Sequence, residues 1–541
     1  MAGSFKTEDN QSPPFVDIDL YALDLPLREA VAANGAAREG AALSAFGSLW
    51  GTAAMTAQAR LANENIPKLT ADAGDSHAET VEFHPAYHGF MRASMAAGLH
   101  AMTWQPDGTP APAEVARAAR YYMVAQIENG HMCPITMTRA SVAALSAEPS
   151  LSASLLPKLL SREYDPSFRP WPQKAAITLG MGMTEKQGGT DVRANTTRAT
   201  PDGEAYRITG HKWFMSAPMC DGFLVLAQAP AGLTCFFMPR FRPDGSVNAL
   251  HFVKLKDKLG NRSNASSEVE FKDAFAQRVG EKGRGIRTIL QMVQLTRLDC
   301  AISSAGMMRM ALAQALHHAR HRTVSQKHLA DQPMMRSVLA DMALEVEGVT
   351  AMVMRLCGAF DLAPTHPAEA ARARLLTPVV KYFVCKTAPA FIYEAMECLG
   401  GNGYLEDSVL PRLYREAPVN AIWEGSGNVM ALDMLRSFAR SADAADVVAA
   451  LAQEAHDLPG AAEASRNLAK ALHAPDVEST ARGAIERLAL LAAAAALTKT
   501  APDVAHLFAQ TRLEQPRGRI YGAAELGASA AGLLTRALPD F

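Results

Sequence analysis

From Ala175 to about Glu281 the chain abandons the Ala- and Leu-rich texture that fills most of its length. Tyr206-Arg207-Ile208 alternates behind the turn Pro201-Asp202-Gly203, Phe223-Leu224-Val225-Leu226 and Thr234-Cys235-Phe236-Phe237-Met238 are short apolar runs, and Pro243-Asp244-Gly245 marks another turn. Short runs of this kind, bounded by turn residues, read as strands. The sequence therefore places a β domain in mid-chain, and everything else must be arranged around it.

On both sides the pattern is helical. Leu27 to Asn63 and Ala113 to Ala147 are Ala-rich with few breakers, and long runs such as Gln291 to Arg322 and Met334 to Phe360 follow the β segment. Ala and Leu are strong helix formers. His131-Met132-Cys133-Pro134 interrupts the second stretch and reads as a helix junction or the lining of a cleft, because proline ends the helix before it. The tail from Ala439 is again helical, set apart by Pro459-Gly460, Pro475 and Pro516. The expected fold class is α+β, mostly α, with domains 1–176 (helical), 177–281 (β), 282–438 (helical) and 439–541 (helical tail).

Composition limits the function. At 541 residues three to four domain-sized units are the natural expectation, with ample material to bury a cofactor. Lys plus Arg number 53 against 55 Asp plus Glu, a formal charge of −2, so the chain as a whole is no generic polyanion binder. Seven cysteines without a Cys-x-x-Cys pair argue against a disulfide framework and a structural zinc site, so no metal is expected. Met1 to Asp19 lacks the layout of a signal peptide, and the apolar run Leu488 to Thr498 is too short to cross a bilayer. The expectation is a soluble cytoplasmic protein with no membrane partner.

Five stretches carry chemistry. Ile422-Trp423-Glu424-Gly425-Ser426-Gly427-Asn428 places a carboxylate one residue before a Gly-Ser-Gly turn, where Ser426 and Asn428 can cap the following helix. That arrangement suits a positioned general base, and equally a plain helix start. Gly182-Met183-Thr184-Glu185-Lys186-Gln187-Gly188-Gly189-Thr190-Asp191 frees the backbone to approach a ring or phosphate, with the Thr184 and Thr190 hydroxyls as donors. No Gly-Lys-Ser/Thr closes it, so it is not a Walker loop. His211-Lys212-Trp213-Phe214-Met215-Ser216 offers an aromatic pair and a hydroxyl able to wall an isoalloxazine ring. Leu399-Gly400-Gly401-Asn402-Gly403-Tyr404 is a second backbone-exposing turn, and Arg320-His321-Arg322 supplies cationic forks for a pyrophosphate.

In this order, and with Lys258-Leu259-Gly260-Asn261-Arg262-Ser263 between them, these motifs resemble the acyl-CoA dehydrogenase superfamily along residues 20 to 438. Cys133-Pro134-Ile135-Thr136-Met137-Thr138, Lys256 to Ser266 and the helical tail are similar to its AidB-like, alkylation-response branch. The resemblance implies an N-terminal helical domain, a middle β-barrel and a C-terminal four-helix domain, binding FAD in a homotetramer.

Carried over motif by motif, the resemblance implies that Met183, Thr184, Gly189 and Thr190 meet the flavin, that Phe214 flanks it beside Met215, and that Ser216 bonds its ring. It further implies that Arg322, Gln332, Gly400 and Gly401 reach the FAD of a neighbouring subunit, and that Trp423, Ser426 and Asn428 also line the cofactor site. Glu424 matches the base for α,β-dehydrogenation of an acyl-CoA. Some relatives carry their base at the position of Thr296, and threonine cannot do that work. Ser325-Gln326 stand where the family commonly has Phe-Gly, and Glu397 where many relatives carry glutamine. The alternative function is that of a DNA-binding, DNA-protecting flavoprotein with little turnover. Arg436, Arg440, Arg512, Arg517 and Arg519 would then contact double-stranded DNA, on a tail whose 10 basic and 12 acidic residues leave it net acidic.

Overall fold

The structure is a computed structural model, and it describes residues 10–72, 75–105, 112–515, 518, 521 and 526–539. These gather into two compact units. One comprises Met1–Thr56, Pro110–Ile127 and Arg297–Phe541, the other Ala57–Thr109 and Glu128–Thr296. The tail that the sequence sets apart from Ala439 onward thus belongs to the first unit, and the expected N-terminal helical segment contributes to both.

The second unit holds the β segment. Its strands are β1 (Leu179–Gly182), β2 (Arg198–Asp202), β3 (Ala205–Ser216), β4 (Gly222–Ala229), β5 (Gly232–Pro239), β6 (Leu250–Leu255) and β7 (Ser266–Val279). Pairing runs β1-β4-β2-β3-β7-β5, and β5 also pairs with β4, so the circuit closes into a barrel with β6 added alongside β7. Closure leaves few open edges. Central β4 and β5 are buried almost throughout, which is why they read as continuous apolar runs, whereas β3 alternates. Helix Met132–Leu145 packs beside β1, and helix Pro85–Ala96 packs against it.

The first unit is helical. Its principal elements are α1 (Gly285–His321, counted here from Arg297), α2 (Pro333–Leu362), α3 (Pro367–Cys398), α4 (Val409–Ile422), α5 (Gly427–Arg440) and, in the tail, α6 (Val477–Thr500). From Leu339 to Ala359 nearly every residue of α2 is buried, as a central helix requires. Helix α3 is long and apolar enough to cross a bilayer by length and composition, yet 72% of its apolar window is buried inside the protein. It was not singled out by the sequence because Pro378 and Pro389 punctuate it. No two of the seven cysteines are joined in a disulfide.

The polar leader has a structural part that the sequence did not reveal. Asn10 exchanges hydrogen bonds with the Thr323 backbone, its side-chain amide donating at 2.7 Å and its side-chain oxygen accepting at 2.7 Å, and the His317 ring meets the Pro13 carbonyl at 2.8 Å.

Candidate active site

In the second unit the expected flavin motifs come together on one side of the barrel. Strand β3 would present alternate residues to opposite faces, but its pairing with β7 slips between Lys212 and Met215, where Trp213 and Phe214 together oppose Glu268 alone. This bulge turns both Trp213 and Phe214 outward. The Trp213 backbone N–H then bonds Thr184 O at 2.9 Å rather than the neighbouring strand, tying the aromatic pair to the loop after β1. Phe214 is 51% exposed, while the Met215 side chain is fully buried. Met215 therefore offers a ligand its backbone alone. The Ser216 hydroxyl lies 3.2 Å from that of Ser266. Over the aromatic pair sits the Lys256 ammonium, 3.4 Å from the Trp213 ring centre and 4.6 Å from that of Phe214, with Glu268 at 2.6 Å.

The loop after β1 is held from below by Glu185. This side chain, like that of Lys212, is fully buried. Its carboxylate accepts from Lys212 Nζ at 2.8 Å, Gln187 Nε2 at 2.7 Å, Thr196 N at 2.7 Å and Thr197 N at 3.2 Å. Burial pushes the Glu185 carboxyl up, but Lys212 and the Thr donors outweigh it and hold it well below the usual range. The residues above this anchor, Met183, Thr184 and Thr190, are half-buried or exposed. A Cβ on Gly189 would lie 2.7 Å from the Thr184 hydroxyl, so only glycine leaves that hydroxyl in place beneath an open backbone.

His131 does not line a cleft. It is fully buried, with Nδ1 2.6 Å from Glu128 and Nε2 2.8 Å from the buried Ser94 hydroxyl. The order serine, histidine, carboxylate is that of a nucleophile triad, but burial makes it a tie. Glu128 also accepts from Ser263 at 2.7 Å and Asn63 at 3.0 Å.

In the first unit the turn around Glu424 joins α4 to α5. Trp423 caps α4, its indole N–H donating to Asn420 at 2.9 Å, and Asn420 in turn donates to Ser303 and Ser304. Glu424 is half-buried and has φ 58, the left-handed region, followed by Gly425 at φ 104. Ser426 stands at the N-cap of α5 but its side chain makes no capping bond, and Asn428 is engaged from the tail by Arg482 Nε at 2.8 Å. The capping expected of these two residues is thus absent, because the turn is held through its carbonyls instead. Lys381 Nζ donates to Trp423 O at 2.8 Å and Gly425 O at 2.6 Å, and Arg297 Nε to Glu424 O at 2.9 Å. Asp433 holds Arg297 at 2.7 Å and Arg374 at 2.9 Å. Burial opposes ionisation of Asp433, and the two arginines outweigh it, keeping its carboxyl low. A lone lysine in the apolar run Leu375 to Cys385 was the sequence signal for Lys381.

Elsewhere in this unit, Gly400 at φ 60 and Gly401 leave the backbone after α3 open, with nothing within 4 Å of either Cβ direction. Arg322 Nη1 donates to Asn10 O at 2.7 Å and Gln332 Nε2 to Val324 O at 3.0 Å. Between them Thr323–Val324 and Lys327–His328 form a hairpin whose turn, Ser325 at φ 50 and Gln326 at φ 65, has both residues left-handed. Arg436 and Arg440 are exposed on α5. Arg512 is not a surface residue: it is 5% exposed, paired with Asp341 and 3.4 Å from Glu345 of α2, which removes it from any DNA-contacting patch. Arg517 and Arg519 lie outside the described residues. Among the described residues no group of three His, Cys, Asp or Glu is placed to hold a metal ion.

With this geometry in view, comparison with known proteins is informative. Residues 10–166 match the family model of the adaptive response protein AidB N-terminal domain, 180–274 the acyl-CoA dehydrogenase middle domain and 283–439 the acyl-CoA dehydrogenase C-terminal domain. The chain is 46% identical, over 94% of its own length and 94% of the relative, to the putative acyl-CoA dehydrogenase AidB of Escherichia coli (strain K12). It is 31% identical to acyl-CoA dehydrogenase family member 11 of Caenorhabditis elegans, over 77% of this chain and 69% of the relative. Among solved structures it resembles Caenorhabditis elegans ACDH-11 in complex with C11-CoA, with a TM-score of 0.86 at 26% identity over 95% of each chain. An acyl-CoA dehydrogenase of Bacillus anthracis complexed with FAD shares the fold at a TM-score of 0.64 and 17% identity, over 78% of this chain and 79% of that one.

Proposed function

Because the chain belongs to the acyl-CoA dehydrogenase family, in its AidB branch, we propose that it is an FAD-dependent oxidoreductase acting on the CH–CH group of an acyl-CoA, with Glu424 as the base. The observation that carries this reading is the Glu424 turn, where a carboxylate stands on a left-handed residue whose flanking carbonyls are both bound by a buried ammonium.

The residues of the second unit fit a flavin. Phe214 supplies an exposed ring, Thr184, Thr190 and Ser216 supply hydroxyls, Met183 and Met215 supply backbone, and Gly189 keeps the approach clear. FAD, when bound, supplies the acceptor for the hydride that leaves the β carbon. The proton α to the thioester carbonyl goes to the Glu424 carboxylate. Trp423, fixed through Asn420, gives that carboxylate an apolar neighbour.

The test is an anaerobic titration of purified protein with a panel of acyl-CoAs, watching flavin bleaching, beside Glu424→Gln. The amide keeps the shape and cannot accept the proton, so bleaching should slow by roughly a hundredfold or more. Unslowed bleaching in that variant would assign the base elsewhere.

Assembly as a homotetramer in the cytoplasm completes the reading, with Arg322, Gln332, Gly400 and Gly401 serving a neighbouring subunit's FAD. In support, Tyr393, Tyr404, Tyr414 and Ile422 are all exposed on the first unit. Light scattering at falling protein concentration should show FAD leaving as the assembly dissociates, and a monomer that keeps its FAD would refute the shared site.

A second reading, binding of double-stranded DNA, has Arg436 and Arg440 in its favour, exposed four residues apart on α5. Binding through phosphates alone would be indifferent to sequence, with log K falling by about 0.9 per log unit of salt for each contact. No binding at low salt would end it.

A further inference from the structure

The cations beneath the Glu424 turn do more than join two helices. Lys381 is 1% exposed, and removing an ammonium from water is strongly unfavourable unless its hydrogen bonds are replaced. Its hydrogen bonds go to the carbonyls immediately before and after Glu424, at 2.8 and 2.6 Å. The carbonyl of Glu424 itself goes to Arg297, which Asp433 fixes at 2.7 Å. Three successive peptide planes are thereby set by cations from two different helices, α3 and α1. Between them Glu424 keeps φ 58, a conformation that persists in a non-glycine residue only when its surroundings over-determine it.

We propose that Lys381 and Arg297 are positioning residues that hold Glu424 in its left-handed conformation and so aim its carboxylate. The inference rests on the base assignment for its consequence in catalysis, but the clamp itself can be tested without it. A link that served only to connect α4 and α5 would be satisfied by glycine at position 424. The clamp is needed because the position carries a side chain with a task.

Thermal melting of the full-length FAD-bound protein gives the first test. Glu424→Gly relieves the left-handed strain and should raise the melting temperature. In a Lys381→Met background the turn is released, so the same substitution should no longer raise it. Equal shifts in both backgrounds would overturn the proposal. Arg297→Gln supplies the same cycle from the other cation should Lys381→Met not fold.

The second test follows loss of the α-deuterium from 3-thiaoctanoyl-CoA, whose β position is sulfur, so that proton removal is read without oxidation. Lys381→Met should slow the exchange by roughly a hundredfold, the scale of a misplaced reacting group, with affinity for the thioester unchanged. Lys381→Arg, which can still reach a carbonyl, should recover part of the rate. Exchange at the wild-type rate in Lys381→Met refutes positioning. Exchange at the wild-type rate in Glu424→Gln refutes the base assignment instead, and the melting cycle still decides whether the clamp holds the turn.

Discussion

Replacing Lys212 by Met removes the ammonium paired with Glu185 and leaves a chain of similar length in its place. The ammonium now makes two bonds, to Glu185 at 2.8 Å and to Leu226 O at 2.9 Å, from a side chain with no exposed surface. Breaking a buried pair from one side destabilises by about 3–5 kcal/mol, because the remaining charge stays buried. The lower figure is the better expectation here. Glu185 keeps its Thr196, Thr197 and Gln187 donors, and it can take up a proton once Lys212 is gone. The loss should fall on the loop from Met183 to Thr197 and on β3, so amide hydrogen exchange in those segments is the direct readout. A loosened loop must be reordered when flavin binds, so FAD affinity should drop with it.

The sign of the pH dependence gives an internal check. A carboxyl held below its ordinary value of 4.5 stabilises the fold above that pH and loses the contribution as pH falls. In Lys212→Met the acid loss of protection in this loop should therefore begin at higher pH. Adding Glu185→Gln removes the uncompensated charge, and the double variant should be more stable than Lys212→Met alone. A loss under about 1 kcal/mol, within the range of an exposed pair, or a double variant less stable than the single one, would refute the account of Glu185 as an anchor held by charge.

Glu128→Gln should flatten the acid limb of stability. Burial raises the Glu128 carboxyl, while His131 and Ser263 bring it down to about 2, so its contribution, on the order of 3 kcal/mol, is present above pH 4.5 and vanishes toward pH 2; an unchanged acid limb in urea titrations between pH 5 and 2 would contradict this. Arg512→Met should loosen the tail by about 3–5 kcal/mol, since the buried Asp341 and Glu345 would lose the cation that pairs with them, and limited proteolysis should then cut within the tail first. In the same variant the salt slope of any DNA binding should stay as it is, whereas Arg436→Ala and Arg440→Ala should each lower it by about 0.9. Gln326→Gly should stabilise the Thr323–His328 hairpin by up to about 1 kcal/mol, because a left-handed glutamine is replaced by the residue that suffers no Cβ clash there, read as slower proteolytic nicking at that turn.

Much of the fold was legible because periodicity reports burial. The β segment and the long helices α1 and α2 were visible as runs, since one buried face or one buried strand writes itself into the spacing of apolar residues. The bulge that leaves Trp213 half-buried and Phe214 exposed was not, because it exists only in the count of residues opposite β7. Glu185 looked like one letter of a flavin motif, and its partner Lys212 lies 27 residues away, close only after β3 folds back along the loop. Arg512 read as a DNA contact because its partner Asp341 sits 171 residues earlier on α2. The capping expected of Ser426 and Asn428 failed for a related reason: the tail takes Asn428 through Arg482, and nothing in the local sequence announces a helix arriving from 54 residues downstream.

The deepest illegibility is chemical rather than spatial. Lys381 binds main-chain carbonyls, and every residue has a carbonyl, so no partner could be found by reading side chains. The same holds for Arg297 on Glu424 and for Lys212 on Leu226. Each unit thus uses a buried cation to set the backbone of its candidate residues. This arrangement has a physical consequence. Backbone held by packing yields gradually as volume is removed, whereas backbone held by a desolvated charge yields when the charge is neutralised, even where volume is kept. Lysine-to-methionine changes at 212 and 381, nearly silent in size, should therefore disturb the site more than the loss of a methyl group from the apolar side chains beside them, and the ranking of those effects is set by electrostatics that the sequence carries only as two unremarkable lysines.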